Sequence, residues 1–357
     1  MNEITVELGE RSYPVFTGIG ILSALGEICR NRNIPPRLAI VTDKNVASLY
    51  LHQLSNSLRH HGFDVVEIVI GVGERQKSLT CVNKIVTQLV EARLTRDSGI
   101  LAFGGGVVGD VAGFVAATYR RGVPLVQIPT TLLAQVESSI GGKVAVNHPL
   151  SKNAVGAFLQ PKFVFSDVNL LSTLPKREII CGLGEVLKYG IIDVGMFSFL
   201  DEHLDEILRY DIDILQETVL RCNALKAPMI AEDEKETNPA GGRAVLNLGH
   251  AIGHALENLS SYKLHHGEAV LVGLEWELEI AREAQLIEKE EYQRILALLK
   301  RVNFKPDLKF LKRNMLLNTI IGKNGKPKFV LARKIGEVAI GAEIDSSIVG
   351  TILKERS

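Results

Sequence analysis

The sequence predicts an α/β amino-terminal domain built on a Rossmann-like parallel sheet, followed by a mainly α-helical carboxy-terminal domain. Two observations carry this expectation. In the first half, short apolar, β-branched runs alternate with segments of helical periodicity, the pattern of a parallel sheet with crossover helices. From about residue 175 the short runs give way to long segments with apolar residues at helical spacing. There is no internal repeat and no low-complexity linker. The boundary is therefore placed between residues 174 and 175, giving domains 1–174 and 175–357. Close packing of the two is expected, with a ligand crevice beyond the carboxyl ends of the parallel strands.

The strands are read from RLAIVTD (37–43), DVVEIVI (64–70), GILAFGGG (99–106), PLVQIPTT (124–131) and FVFSD (163–167). These runs are nearly continuous in apolar residues, as strands covered on both faces must be. Residues 45–60 and 77–93 carry helical periodicity between them. In the second half, 175–192, 196–230, 247–259, 267–286 and 289–301 read as helices, with a weak strand pair near 328–340.

Composition narrows the function. Lys plus Arg and Asp plus Glu both number 41 in 357 residues, so no overall charge favours nucleic acid or an acidic membrane surface. The amino terminus MNEITVEL has neither the basic start nor the apolar run of a signal peptide. No stretch approaches the ~18 uninterrupted apolar residues of a membrane span. The four cysteines (Cys29, Cys81, Cys181, Cys222) form no CxxC pair, which argues for reduced thiols and a cytoplasmic location.

Three stretches carry chemistry. GGGVVGDVAGF (104–114) follows a strand and opens a helix, where backbone N–H groups and the helix dipole receive a pyrophosphate. Gly105, Gly106 and Val107 are placed against the phosphates, and Asp43, ending an earlier strand, against ribose hydroxyls. The second stretch, LNLGHAIGHALENLSSYKLHHGEAV (246–270), holds four of nine histidines. His250 and His254 share one helix face, and His265 and His266 precede the next helix. Glu185, in the apolar helix GLGEVLKYG, is a carboxylate that burial would require to meet a cation or strong donors. One carboxylate and two imidazoles suit Zn²⁺ with open positions for substrate oxygens. Spacing alone leaves open which histidines are ligands and favours His250 with His254. Third, 130–153 is polar and glycine-rich, too much so for core, with Glu137, Lys143, Lys152 and Asn153 close together; its lysines and amide suit a phosphate or carboxylate.

Together these stretches resemble the 3-dehydroquinate synthase family. The resemblance is carried by VTD (41–43), GERQKSL (73–79), GGGVVGDVAGFVAATYRRG (104–122), PTTLLAQVESSIGGK (129–143), NHPLSKNAVGAFLQP (147–161), STLPKREI (172–179), GLGEVLKYGII (182–192), DEKET (233–237), LNLGHAIGHALE (246–257) and HHGEAV (265–270). It implies a homodimeric enzyme using NAD⁺ and a divalent metal, zinc or cobalt. The substrate implied is a small sugar phosphate, 3-deoxy-D-arabino-heptulosonate 7-phosphate, with no nucleic-acid or membrane partner. The implied reaction oxidises the substrate's C5 alcohol, eliminates phosphate, returns the hydride, and closes the ring by an intramolecular aldol step. The metal ligands implied are Glu185, His250 and His266, with His254 moved to the substrate side. Asp43, Glu74, Lys77, Gly105, Gly106, Asp110, Thr130, Thr131, Leu133, Thr173 and Leu174 match positions lining the dinucleotide. Lys143, Lys152, Asn153, Lys188, Lys226, Arg243 and Asn247 match substrate positions, and Arg121 an arginine reaching the neighbouring subunit's phosphate.

Three places depart from the family pattern. Glu137 stands where the family has aspartate, a difference of about 1.5 Å in reach. ETNPAGGR (236–243) is longer than the usual connection to Arg243, and the carboxy-terminal Asp-Lys-Lys signature is reduced to Ile321-Gly322-Lys323. All three touch substrate recognition, so a related sugar-phosphate cyclase with another substrate is the alternative. A metal-dependent polyol or glycerol-phosphate dehydrogenase shares the two-domain plan and is a further alternative.

Overall fold

The computed structural model describes residues 1–238, 241–261, 263–321 and 327–355. They form two compact units, one of 1–174 with 215–231, the other of 175–214 with 232–357. Residues 215–231 cluster with the first unit and not with the helices that precede them in the chain. Ala227 and Ile230 instead join Val6, Tyr13, Val15, Ile140 and Val164 in one buried cluster of the first unit.

The first unit contains β1 (Asn2–Val6), β2 (Tyr13–Gly18), α1 (Leu25–Asn31), β3 (Arg37–Asp43), α2 (Lys44–Val46), α3 (His52–His60), β4 (Asp64–Ile70), α4 (Leu79–Glu91), β5 (Ser98–Gly104), α5 (Gly106–Thr118), β6 (Leu125–Pro129), β7 (Lys143–His148), β8 (Ser151–Phe158) and β9 (Phe163–Asp167). Seven strands make one sheet in the order β1-β2-β9-β6-β5-β3-β4. The β1–β2 pair is antiparallel and every other pairing is parallel. The five successive parallel strands β3, β4, β5, β6 and β9 are therefore ordered 2-1-3-4-5, a doubly wound arrangement that reverses direction between β3 and β5. Alternation along β3 explains why the sheet is covered twice: Leu38 and Ile40 join one buried cluster, with α1 and α3, while Ala39 and Val41 join another, with α4 and α5.

All five strands read from sequence are present, within one or two residues. The β7–β8 hairpin lies in the segment read as too polar for core. Its strands expose one face, and Val144 and Val146 on the other enter the cluster with α5.

In the second unit come α6 (Lys176–Ile192), α7 (Val194–Leu208), α9 (His250–Leu259), α10 (His266–Glu283), α11 (Lys289–Arg301), α12 (Arg313–Ile321), the antiparallel pair β10 (Lys328–Lys334) and β11 (Glu337–Glu343), and α13 (Ser346–Glu355). α8 (Ile212–Glu232) contains the segment counted with the first unit. The expected helix 196–230 is two helices. Tyr210 adopts a left-handed φ of 65°, and Asp211 Oδ1 accepts the N–H groups of Asp213 and Ile214 to start α8. Among the described residues no helix is long and apolar enough to cross a membrane.

Candidate active site

The reversal point between β3 and β5 places two predicted cofactor positions side by side. At the end of β3, Asp43 Oδ1 accepts the N–H groups of Asn45 (2.8 Å) and Val46 (3.2 Å), so this carboxylate also caps the following helix. At the end of β5 the chain turns through Gly104 and Gly105 into α5, whose N-cap, Gly105, offers no side-chain acceptor. With no side-chain acceptor at this N-cap, the first-turn N–H groups, those of Gly106 and Val107 among them, could receive an external anion. A Cβ on Gly105 would lie 3.0 Å from Thr131 Cγ2, and one on Gly106 3.0 Å from Ser138 Oγ. Thr130 donates its N–H to Gly104 O at 3.0 Å, and Thr131 Oγ1 accepts from Ala134 N at 3.2 Å, which sets Leu133 in the turn between them.

Lys77 is buried and donates to Asp110 Oδ2 (2.5 Å) and Asn153 Oδ1 (2.6 Å). Desolvation holds the Asp110 carboxyl above its usual range, against the pull of Lys77. Asn147 links Glu74 (2.8 Å) to the Asn153 backbone (2.8 Å), tying the hairpin to the turn before α4. Thr173 Oγ1 and Tyr50 OH are 2.7 Å apart, and Leu174 N donates to Leu171 O at 3.0 Å. Lys143 and Lys152 lie on β7 and β8, and Arg121 is exposed beyond α5 with φ 71°. Glu137 meets Lys226. Lys226 Nζ is 2.7 Å from Glu137 Oε1 and donates to Glu137 O at 2.6 Å.

In the second unit three helices bring the metal candidates together. Glu185 and Lys188, one turn apart on α6, are fully buried, with Lys188 Nζ 2.6 Å from Glu185 Oε2. Glu185 Oε1 faces His266 Nε2 at 3.0 Å and His250 Nε2 at 3.4 Å. Close backbone approach makes this possible. A Cβ on Gly184 would fall 2.1 Å from Gly267 O, and one on Gly267 1.7 Å from Cys181 O, so α6 and α10 touch through glycine. Gly249 has φ 79°, a left-handed turn that aims His250 into the cluster. The glycines beside the histidines therefore serve packing and direction.

The ring tautomers follow from the other nitrogens. His250 Nδ1 is 2.9 Å from Leu248 O, and His266 Nδ1 3.1 Å from Glu257 Oε2, both acceptors only. Each Nδ1 must carry hydrogen, so in the neutral rings both Nε2 atoms turn a lone pair toward Glu185 Oε1. Three lone-pair donors meeting at 3.0–3.4 Å call for a proton or a cation between them. Ligands about 2.1 Å from a tetrahedral zinc stand about 3.4 Å apart, so the donor set fits the metal. Burial alone would raise Glu185, but Lys188 and His250 outweigh it and hold the carboxyl well below its usual range. For His266, burial opposes the proton, yet the hydrogen bonds it donates to Glu185 and Glu257 win and push it up to about 9.

Exposed His254 also lies near: ligand atoms of His250, His254 and His266 are within 4.8 Å of one another. Glu178, Cys181 and His265 form a second such group, in which His265 Nδ1 pairs with Glu178 Oε1 at 3.0 Å. Arg243 is buried and donates to Glu234 O (2.9 Å), and Asn247 to Glu236 Oε1 (2.8 Å). Residues 239 and 240 of the longer connection, and Gly322 and Lys323 of the altered signature, lie outside the described residues. Glu257 was missed from sequence, although its place seven residues after His250 puts it on the same helix face.

Comparison with known proteins agrees with this build. The structure is similar to 2-deoxy-scyllo-inosose synthase complexed with carbaglucose-6-phosphate, NAD⁺ and Co²⁺ (TM-score 0.89, 23% identity, covering 99% of this chain and 100% of that one). It is also similar to 2-epi-5-epi-valiolone synthase from Streptomyces hygroscopicus subsp. jinggangensis with NAD⁺ and Zn²⁺ bound (TM-score 0.88, 26% identity, covering 98% and 99%). The fold is thus that of the dehydroquinate synthase-like cyclases. Residues 67–181 match the family model 3-dehydroquinate synthase N-terminal, and 182–323 the model 3-dehydroquinate synthase C-terminal. A curated 3-dehydroquinate synthase of Caldanaerobacter subterraneus subsp. tengcongensis is 44% identical over 346 residues, 95% of this chain and 96% of that protein. The chain belongs to the 3-dehydroquinate synthase family.

Proposed function

We propose that the chain is a 3-dehydroquinate synthase, a carbon–oxygen lyase of aromatic amino acid biosynthesis. It converts 3-deoxy-D-arabino-heptulosonate 7-phosphate to 3-dehydroquinate and phosphate. The observation that carries the reading is the convergence of Glu185 Oε1, His250 Nε2 and His266 Nε2 in a chain of this family. Glu185, His250 and His266 would hold one divalent metal, zinc or cobalt. The first turn of α5, with Asp43, Lys77, Asp110 and Thr131, would hold NAD⁺. When bound, the metal supplies a Lewis acid for a substrate hydroxyl and NAD⁺ a hydride acceptor that is regenerated within the turnover.

The chain's own residues orient and stabilise. First-turn N–H groups of α5 donate to the pyrophosphate, with no side chain at Gly105 or Gly106 to hold it off. Lys188 keeps Glu185 ionised beside it. Lys143, Lys152, Asn153, Lys226, Arg243, Asn247 and His254 supply donors for the substrate's carboxylate, hydroxyl and phosphate oxygens. Arg121, exposed after α5, is assigned to the phosphate in a neighbouring subunit, which makes a homodimer the working assembly. The four cysteines are buried and form no disulfide among the described residues, which fits a reducing, cytoplasmic compartment.

The test is turnover of the heptulosonate 7-phosphate by protein stripped of metal and then reloaded with Zn²⁺ or Co²⁺. Restoration of 3-dehydroquinate formation on reloading supports the reading. Cyclisation of a different sugar phosphate, with this one left untouched, would assign the chain to a neighbouring cyclase activity instead.

A further inference from the structure

α10 carries a buried carboxylate to which the reaction gives no part. Glu277 is 1% exposed. Its Oε2 accepts the N–H of Gly249 at 2.8 Å, its Oε1 that of Ile252 at 3.0 Å, and Ala251 N–H also bonds to it. These are the N-cap and first-turn amides of α9, whose first residue is His250.

A glycine N-cap brings no side-chain acceptor, and none caps α9 locally. Its opening amides would otherwise be buried without partners, which is costly. Glu277 supplies both oxygens as acceptors for these amides at the amino-terminal end of α9. This cap fixes the turn from which His250 projects, while Leu248 O fixes the ring. Neither constraint alone determines where His250 Nε2 lies relative to Glu185.

We propose that Glu277 is a positioning residue for the metal site, holding the first turn of α9 so that His250 presents Nε2 to the ion. The proposal rests on His250 being a metal ligand, and the test keeps the two claims apart.

The experiment is Co²⁺ titration of metal-free protein against a competing chelator, read also from the visible Co²⁺ spectrum. It compares wild type, Glu277→Gln, Asp193→Ala and His250→Ala. Asp193 caps α7 in the same unit by accepting Met196 N–H at 2.7 Å, so its loss controls for general destabilisation. Glu277→Gln keeps the shape but turns an N–H₂ toward backbone donors. It should weaken Co²⁺ binding on the order of 10-fold or more and alter the spectrum, whereas Asp193→Ala should do neither. Wild-type affinity and spectrum in Glu277→Gln would overturn the proposal, as would equal weakening in Asp193→Ala. Wild-type affinity in His250→Ala would remove the metal-site reading itself. Should Glu277→Gln fail to fold, wild type still decides: Co²⁺ should slow hydrogen exchange at Ala251 and Ile252, and unchanged exchange would overturn the coupling.

Discussion

Lys226 holds Glu137 twice, by its carboxylate Oε1 at 2.7 Å and by its own backbone carbonyl at 2.6 Å. The lysine is 1% exposed, so removing the carboxylate beside it costs more than breaking a surface pair would. The longer acid at this position therefore has a structural partner in Lys226.

Glu137→Gln should lower both stability and turnover, because it strips the carboxylate from a buried ammonium while keeping size. The loss of stability should be about 2 kcal/mol, below the usual cost of breaking a buried pair since Glu137 is half-buried. Metal content should stay at wild type. Glu137→Asp should retain substantial activity, because the flexible lysine stem can follow a shorter acid. Thermal melts and metal analysis check this, and an unaltered melt in Glu137→Gln would contradict it.

Glu257 orients His266 from behind, as its Oε2 sits 3.1 Å from Nδ1. Glu257→Gln should weaken Zn²⁺ binding by roughly 10-fold, and His266→Ala should abolish it. Chelator competition reads both. Full metal occupancy in His266→Ala would mean that this imidazole is no ligand.

Gly267→Ala should be among the most damaging single-atom changes in the helical unit. The added carbon would meet Cys181 O at 1.7 Å, a backbone atom that no rotamer change can move. A loss of roughly 3 kcal/mol or more is expected, together with loss of metal, since α6 and α10 must separate. A wild-type melting temperature would show that the helices have room to spare.

The turn that leads to Arg243 should be pH-sensitive. Asp233 accepts N–H bonds from Thr237 (2.8 Å) and Asn238 (3.1 Å), which hold its carboxyl below the usual range. A depressed acid stabilises the fold above its unfolded pKa and loses that contribution as pH falls through the folded value. Wild type should therefore melt higher than Asp233→Asn near neutrality, with the gap closing in the acid range below the ordinary aspartate pKa. A gap that widens on acidification would contradict the assignment.

The sheet was legible because its central strands are continuous apolar runs, a pattern that burial on both faces imposes. The β7–β8 hairpin escaped because only alternate residues, Val144 and Val146, are buried in KVAVNH. The break at Tyr210 escaped for a different reason: a left-handed tyrosine leaves no compositional mark. At the site, helical spacing offered His250 with His254, but Glu185 and His266 come together through contacts 81 residues apart in the chain. Glu277 was beyond sequence reading altogether, because the amides it caps lie 25 and 28 residues away and belong to backbone.

The central claim is that oxidation and reduction occur in one site, so NAD⁺ acts as a catalyst. The direct measurement is to give the Zn²⁺-loaded protein excess heptulosonate 7-phosphate with NAD⁺ at a small fraction of that amount, following phosphate and the reduced-nicotinamide absorbance together. Many phosphates should be released per NAD⁺, each matched by one 3-dehydroquinate, with no net NADH. One NADH formed for each substrate consumed, with turnover stopping when NAD⁺ is exhausted, would contradict it.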